Sequence, residues 1–195
     1  MNFTNLVKQE KIKARKQNIV EVRKDIDKTW VKEKIQNHII AFDGLFTFDE
    51  IKQAILTNDL VASKFCKDPS KQNISENLAG KVLGWDKCPQ SGPKSIRFDE
   101  NGDIVKIKSP GTTEAVDFNE MGYYITQKFT EEEGGAQNNQ KEKVITFLKQ
   151  GSIHHKVMAV VDGDYWDTHR QELIDKFKDN PNVKITSVTE LTENN

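Results

Sequence analysis

The sequence predicts a chain of the α/β class in its α+β form: a mixed β-sheet flanked by helices, behind an N-terminal helical region. Three observations predict it. Residues 4 to 40 carry apolar side chains at helical spacing with no Gly or Pro to interrupt them. Val157 to Val161 is an unbroken apolar run, as expected of a strand buried on both faces. From Ser95 onward the segments read hairpin, strand, helix, strand, helix, strand, an order that layers helices against a sheet.

Taken in order, Ile12, Ile19, Val22, Ile26, Trp30 and Ile35 form the apolar stripe of one long helix over residues 4 to about 40. Asp43-Gly44 ends it. Thr47-Phe48-Asp49-Glu50 is a capping box that opens a helix to about Thr57, with Ile51, Ile55 and Leu56 inward. Leu60 to Cys66 is a short apolar stretch, and a helix starting near Asp68-Pro69-Ser70 runs to Gly84. Pro89 to Pro93 is a loop. Ser95 to Phe98 and Ile104 to Lys108 pair as a hairpin over Asp99-Glu100-Asn101-Gly102. The loop Ser109 to Thr113 leads into a strand that ends near Asp117, and Gly122 to Phe129 is a second strand rich in β-branched and aromatic residues. A helix over Ala136 to Gln150, the Val157–Val161 strand, a helix over Thr168 to Lys178, a strand over Val183 to Ser187 and a polar tail complete the chain. The expected organisation is one domain over 1–195, with 1–88 a helical part and 89–195 the sheet-bearing core.

Composition narrows the function. With 195 residues, 35% hydrophobic and 30% charged, the chain is long enough for a proper core. No stretch approaches the roughly eighteen apolar residues of a membrane span. Cys66 and Cys88 lack zinc or disulfide spacing and fit a reducing cytoplasm. The net charge of −1 is unevenly spread: residues 1–38 hold ten Lys/Arg against five Asp/Glu, and from Asp162 onward eight acids face four bases. A basic helix of this kind can follow a phosphate backbone. No Walker loop, GxSxG nucleophile or nicotinamide fingerprint is present.

The residues that carry chemistry centre on Asp117 and Lys128. Asp117 follows Ala115-Val116, and an unpartnered carboxylate leaving such an apolar strand would be costly. Tyr124, Thr126 and Lys128 share one face of the next strand, Ile125 and Gln127 the other. A carboxylate and a lysine held side by side at strand ends suit metal-dependent phosphodiester cleavage, one anchoring a divalent cation and the other orienting water or stabilising the phosphorane charge. Asp162-Gly163-Asp164 reads as a structural turn that caps the helix from Tyr165, and His154-His155 as adjacent residues that diverge rather than form a metal pair.

The Asp117…Lys128 spacing resembles the core motif of the PD-(D/E)XK nucleases, the superfamily of most type II restriction endonucleases. The strand and helix order over about residues 90–190 is similar to theirs. So are Phe129-Thr-Glu-Glu-Glu-Gly-Gly-Ala-Gln137-Asn-Asn-Gln140 after the lysine and Lys67-Asp-Pro-Ser-Lys71-Gln72-Asn73-Ile-Ser-Glu76 upstream. The resemblance implies a restriction-endonuclease-like fold and a bacterial, cytoplasmic Mg²⁺-dependent enzyme. It would be a homodimer cutting double-stranded DNA. Asp117 would be the metal ligand and Lys128 the catalytic lysine. Thr126 stands where the motif has an acid. That leaves three readings: Glu142 supplies the migrated carboxylate as catalytic and metal ligand, Glu76 supplies it from the upstream helix, or the chain binds DNA without cutting. Gln127 and a main-chain carbonyl are a further way to complete the site. A repair or junction-resolving nuclease of the same fold is the other enzymatic alternative. DNA contacts are expected from Lys13, Arg15 and Lys16 of the basic helix, from Lys71, Gln72, Asn73 and Lys94, and from Gln137 and Gln140, which can bond phosphates or adenine edges.

Overall fold

The structure, a computed structural model, describes residues 2–69, 73–131 and 135–193, and of residues 135–137 the backbone alone. It divides into two compact units, one of Val7–Ile74 and one of Met1–Leu6 with Ser75–Asn195. The sequence suggests an internal division at residue 88, whereas the boundary between these units falls at Ile74. The helix after that boundary belongs with the sheet, because its Gly80 lies close enough to Phe118 that a Cβ there would meet the ring at 3.1 Å.

The helical unit takes in most of α1 (Phe3–Lys24), then α2 (Thr29–Ala41), α3 (Phe48–Thr57) and α4 (Asp59–Phe65). The single long helix expected over residues 4–40 is two helices. Asp25 breaks it: its carboxylate accepts the Trp30 indole N–H at 3.1 Å and pairs with Lys28 at 2.8 Å, while the Lys28 N–H turns back to the Asp25 carbonyl. An aspartate that satisfies groups outside the helix competes with the ladder it sits in. Val22, Ile26, Val31, Ile35, Ile51, Ile55 and Phe65 pack as the core, whereas Leu56, expected inward, is exposed. The Thr47–Glu50 capping box is formed. The Leu60–Cys66 stretch is a helix, α4, because Asn58 accepts the N–H groups of Leu60 and Val61 and so satisfies its first turn.

The second unit contains α5 (Ile74–Leu83), the small antiparallel hairpin β1 (Arg97–Phe98) and β2 (Ile104–Val105), and a mixed sheet. The sheet has the order β3 (Phe118–Glu120), β4 (Tyr123–Phe129), β5 (Val157–Asp162), β6 (Val183–Thr186). β3 and β4 are antiparallel through Met121-Gly122, both at positive φ as a tight two-residue hairpin turn requires. β4, β5 and β6 are parallel, joined by α6 (Gly135–Gly151) and α7 (Asp164–Phe177). β5 is buried along its whole length. Val157, Ala159 and Val161 pack against Val144, Phe147 and Leu148 of α6 and Tyr165, Trp166 and Leu173 of α7. This is the expected α+β class, a mixed sheet flanked by helices.

Two local expectations change. The residues after Ser187 are a helix, α8 (Val188–Glu193), not a tail. Ser187 Oγ accepts the Glu190 N–H and the Glu190 carboxylate accepts the Ser187 N–H, which is a capping box. The Asp162-Gly163-Asp164 turn is structural, but its first carboxylate caps α8 rather than α7: both Asp162 oxygens accept the Val188 N–H. α7 follows Gly163 with no side-chain cap. His155 stacks on Phe98 at 5.4 Å and meets Tyr124 edge-on, so it is part of the packing. None of the described helices is long and apolar enough to cross a membrane.

Candidate active site

The β3–β4 hairpin sets Asp117 beside the carboxyl end of β4. The Asp117 N–H donates to the Ile125 carbonyl and its own carbonyl accepts the Cys88 N–H, so its backbone is tied on both sides. Asp117 lies just before β3 rather than at the end of a strand leading into it. Its side chain, 2% exposed, concentrates three donors on Oδ2: the Gln127 N–H at 2.8 Å, Lys128 Nζ at 3.2 Å and the Thr126 hydroxyl at 3.3 Å. Lys128 Nζ also donates to the Gln127 carbonyl at 3.0 Å. Among the described residues Oδ1 accepts no hydrogen bond, so one carboxylate oxygen is left open.

This pair borders a cleft of about 300 Å³. Glu76 from α5 and Glu114 from the preceding loop line it on the acidic side. Gln140 and Lys143 from α6 line it with Lys128 as donors. Every carboxylate here is paired with a lysine: Asp117 with Lys128, Glu76 with Lys87, Glu114 with Lys108 and Lys143, the last two each at 3.2 Å. Burial pushes the Glu114 carboxyl up, but Lys108 and Lys143 outweigh it and hold the group below its ordinary value. Burial raises the Cys88 thiol, with the negative charges of Asp117 and Glu120 adding to it. Arg97, buried, supports the wall by donating to the carbonyls of Thr113 at 3.1 Å and Gln90 at 2.8 Å.

Sequence reasoning and structure agree on part of this site. Asp117, Lys128, Glu76 and Gln140 are brought together in the cleft. Gln127 contributes only its main chain; its side chain is buried with neither amide atom hydrogen-bonded. Thr126 is an acceptor's partner rather than a gap, since its hydroxyl serves Asp117. Glu142 is exposed and does not line the cleft, which removes it from the catalytic and metal set. The resemblance selected it, whereas helical phase selects Gln140 and Lys143, three apart on one face; a residue two beyond Gln140 points about 200° away. Glu114 and Lys143 were missed. Glu114 sits in a loop, and the lysines that hold it lie six residues before it and twenty-nine residues after it; its one sequence signal is its place three residues before Asp117.

Of the expected DNA contacts, Lys13, Arg15 and Lys16 are exposed on α1 within the helical unit. Asn73 is exposed in the turn before α5 at φ 51, and Lys94 is exposed in the loop before β1. Lys71 and Gln72 lie outside the described residues, as does the side chain of Gln137.

Among the described residues no three His, Cys, Asp or Glu side chains converge as a metal cage. A hard cation that keeps most of its water needs less: Mg²⁺ is commonly held by one or two carboxylates together with substrate phosphates. The open Oδ1 of Asp117 and the carboxylates of Glu114 and Glu76 in the same cleft fit that demand. The chain matches no family model, no curated protein and no solved structure.

Proposed function

We propose that this chain is a Mg²⁺-dependent, site-specific endonuclease of the type II restriction kind that hydrolyses phosphodiester bonds of double-stranded DNA as a homodimer. The observation that carries the reading is the Asp117–Lys128 pair, 3.2 Å apart at the carboxyl end of a parallel strand and opening onto a polar cleft. Ligands of open α/β sheets lie at this end of the strands. Asp117, with Glu114 and Glu76 lining the same cleft, would hold Mg²⁺, which would supply Lewis-acid polarisation of the phosphate. Lys128, pinned by Asp117 and the Gln127 carbonyl, presents its ammonium where negative charge grows on the phosphate oxygens. Gln140 and Lys143 hold the backbone of the substrate.

Plasmid DNA incubated with the protein and Mg²⁺ tests the reading. Discrete fragments, lost in Lys128→Ala, support it; nicks confined to branched substrates point to a junction-resolving enzyme. A second reading, a DNA-binding protein without cleavage, is favoured by one observation: Thr126 occupies the position where the resembled motif carries an acid. Retained duplex binding with no cleavage under any divalent cation would select it.

A further inference from the structure

Gln140 carries an orientation that its surroundings dictate. The Trp166 indole N–H, wholly buried, donates to Thr130 Oγ1 at 3.1 Å. An indole nitrogen can only donate, so the Thr130 hydroxyl accepts there and has one proton left to give. That proton goes to Gln140 Oε1 at 2.8 Å. The opposite amide orientation would set two donors against Thr130 Oγ1 and leave its proton with no acceptor. The donor chain therefore commits the Gln140 oxygen inward and leaves its NH₂ over.

Thr130 is itself tied through its main chain on both sides. Its N–H donates to the Asp162 carbonyl at 3.0 Å and its carbonyl accepts the Tyr165 N–H at 3.3 Å. Gly163 passes so near that a Cβ there would lie 2.2 Å from the Thr130 carbonyl oxygen. Gln140 lines the same cleft as Lys128 and Lys143, but those two ammonium groups are already engaged by Asp117 and Glu114. Among the described residues the Gln140 NH₂ has no partner. Among those residues it is a neutral donor left over, and an acceptor oxygen such as that of a phosphate is what it can bind.

We infer that Trp166 and Thr130 are positioning residues that lock the Gln140 amide with its NH₂ into the cleft, making Gln140 a binding residue for a phosphodiester oxygen of the substrate. This rests on the reading of the cleft as a phosphodiester site. It adds what that reading does not contain: a two-residue relay, buried in the core, that sets the polarity of a substrate contact.

The test uses ¹⁵N NMR of the Gln140 side-chain amide during titration with inorganic phosphate, alongside plasmid cleavage at varied DNA concentration. Wild type and Thr130→Ser should show a phosphate-dependent shift of the Gln140 NH₂ resonances. Thr130→Val should lose it, and Trp166→Phe should weaken it in the same direction. Gln140→Glu keeps an acceptor for Thr130 but repels phosphate. Cleavage by Thr130→Val and by Gln140→Glu should need roughly tenfold more DNA to reach half-maximal rate, the loss of one hydrogen bond to a charged oxygen. The double variant should be no worse than Gln140→Glu alone. Unfolding midpoints identify any variant that fails to fold, and Thr130→Ser and Trp166→Phe then carry the comparison. An unchanged Gln140 response in Thr130→Val, additive losses in the double variant, or no response in the wild type overturns the inference. If plasmid stays uncut while the relay-dependent response is present, the nuclease reading falls and the relay stands. If plasmid is cut and Thr130→Val is silent in both measurements, the relay falls and the nuclease reading stands.

Discussion

Asp162, at the end of β5, accepts the backbone N–H of Val188 on both carboxylate oxygens, at 3.1 and 3.2 Å, and so ties α8 to the central strand. The group is 4% exposed. Burial pushes its carboxyl from an ordinary value of 3.8 up to about 7, against the Val188 N–H and the Arg170 charge, with the Asp167 and Glu190 carboxylates adding to the rise. The folded state thus keeps a proton that the unfolded chain has already released. Stability contributed by this group is present on the acid side and falls as pH rises from about 4 to about 7. At about 1.36 kcal/mol for each pH unit, the full effect is on the order of 4 kcal/mol. Urea denaturation at pH 5.5 and pH 8 should show a stability loss that Asp162→Asn largely abolishes, with the variant more stable than wild type at pH 8. Parallel pH slopes in the two proteins would remove Asp162 as the cause.

The Asp117–Lys128 pair is nearly buried on the acid side, with exposures of 2% and 18%. Removing one partner leaves an uncompensated charge, which costs about 3–5 kcal/mol in buried pairs. Lys128→Met should therefore lower stability by that order and abolish plasmid cleavage. Asp117→Asn combined with Lys128→Met should recover much of the stability but none of the activity. A single variant as stable as wild type would show that Lys128 does not neutralise Asp117.

Helical phase separates Glu142 from the cleft that Gln140 and Lys143 line. Glu142→Ala should leave stability within about 0.5 kcal/mol of wild type, as for an exposed substitution away from any special contact. Plasmid cleavage should also be unchanged. Glu114→Gln, by contrast, strips Lys108 and Lys143 of their shared acid and should change the Mg²⁺ concentration needed for half-maximal cleavage. Loss of cleavage in Glu142→Ala would restore the assignment that the resemblance implied.

What could be read from the chain follows from how local its causes are. The Thr47–Glu50 cap, the buried run of β5 and the β-branched and aromatic run of β4 are written within a few residues each, and all three form. The break at Asp25 depends on Trp30 turning back to meet it, and periodicity runs straight through it. α8 was legible in Ser187-x-x-Glu190 but was hidden by the polar residues after it. In the site, Asp117 and Lys128 are adjacent because a hairpin joins them. Glu114 is held by Lys108 of its own loop but also by Lys143 of α6, and the Trp166–Thr130–Gln140 chain joins residues up to 36 apart. Contacts of that range are set by the packing of α6 and α7 on the sheet, which no local pattern specifies.

Gly163 connects the stability of this packing to the site. Its φ of 105° lies in the left-handed region, and a Cβ there would sit 2.2 Å from the Thr130 carbonyl oxygen and 3.0 Å from its nitrogen. Neither atom can yield, because Thr130 is held by Asp162 on one side and Tyr165 on the other. Gly163→Ala should therefore cost about 3 kcal/mol or more, combining the backbone strain of a non-glycine residue with a clash against main chain. Because Thr130 lies two residues after Lys128 and bonds Gln140, any relief of the clash must move the end of β4. The variant should lose cleavage at temperatures where circular dichroism still reports a folded protein. Full cleavage at wild-type stability would mean that the turn is looser than its contacts with Thr130 require.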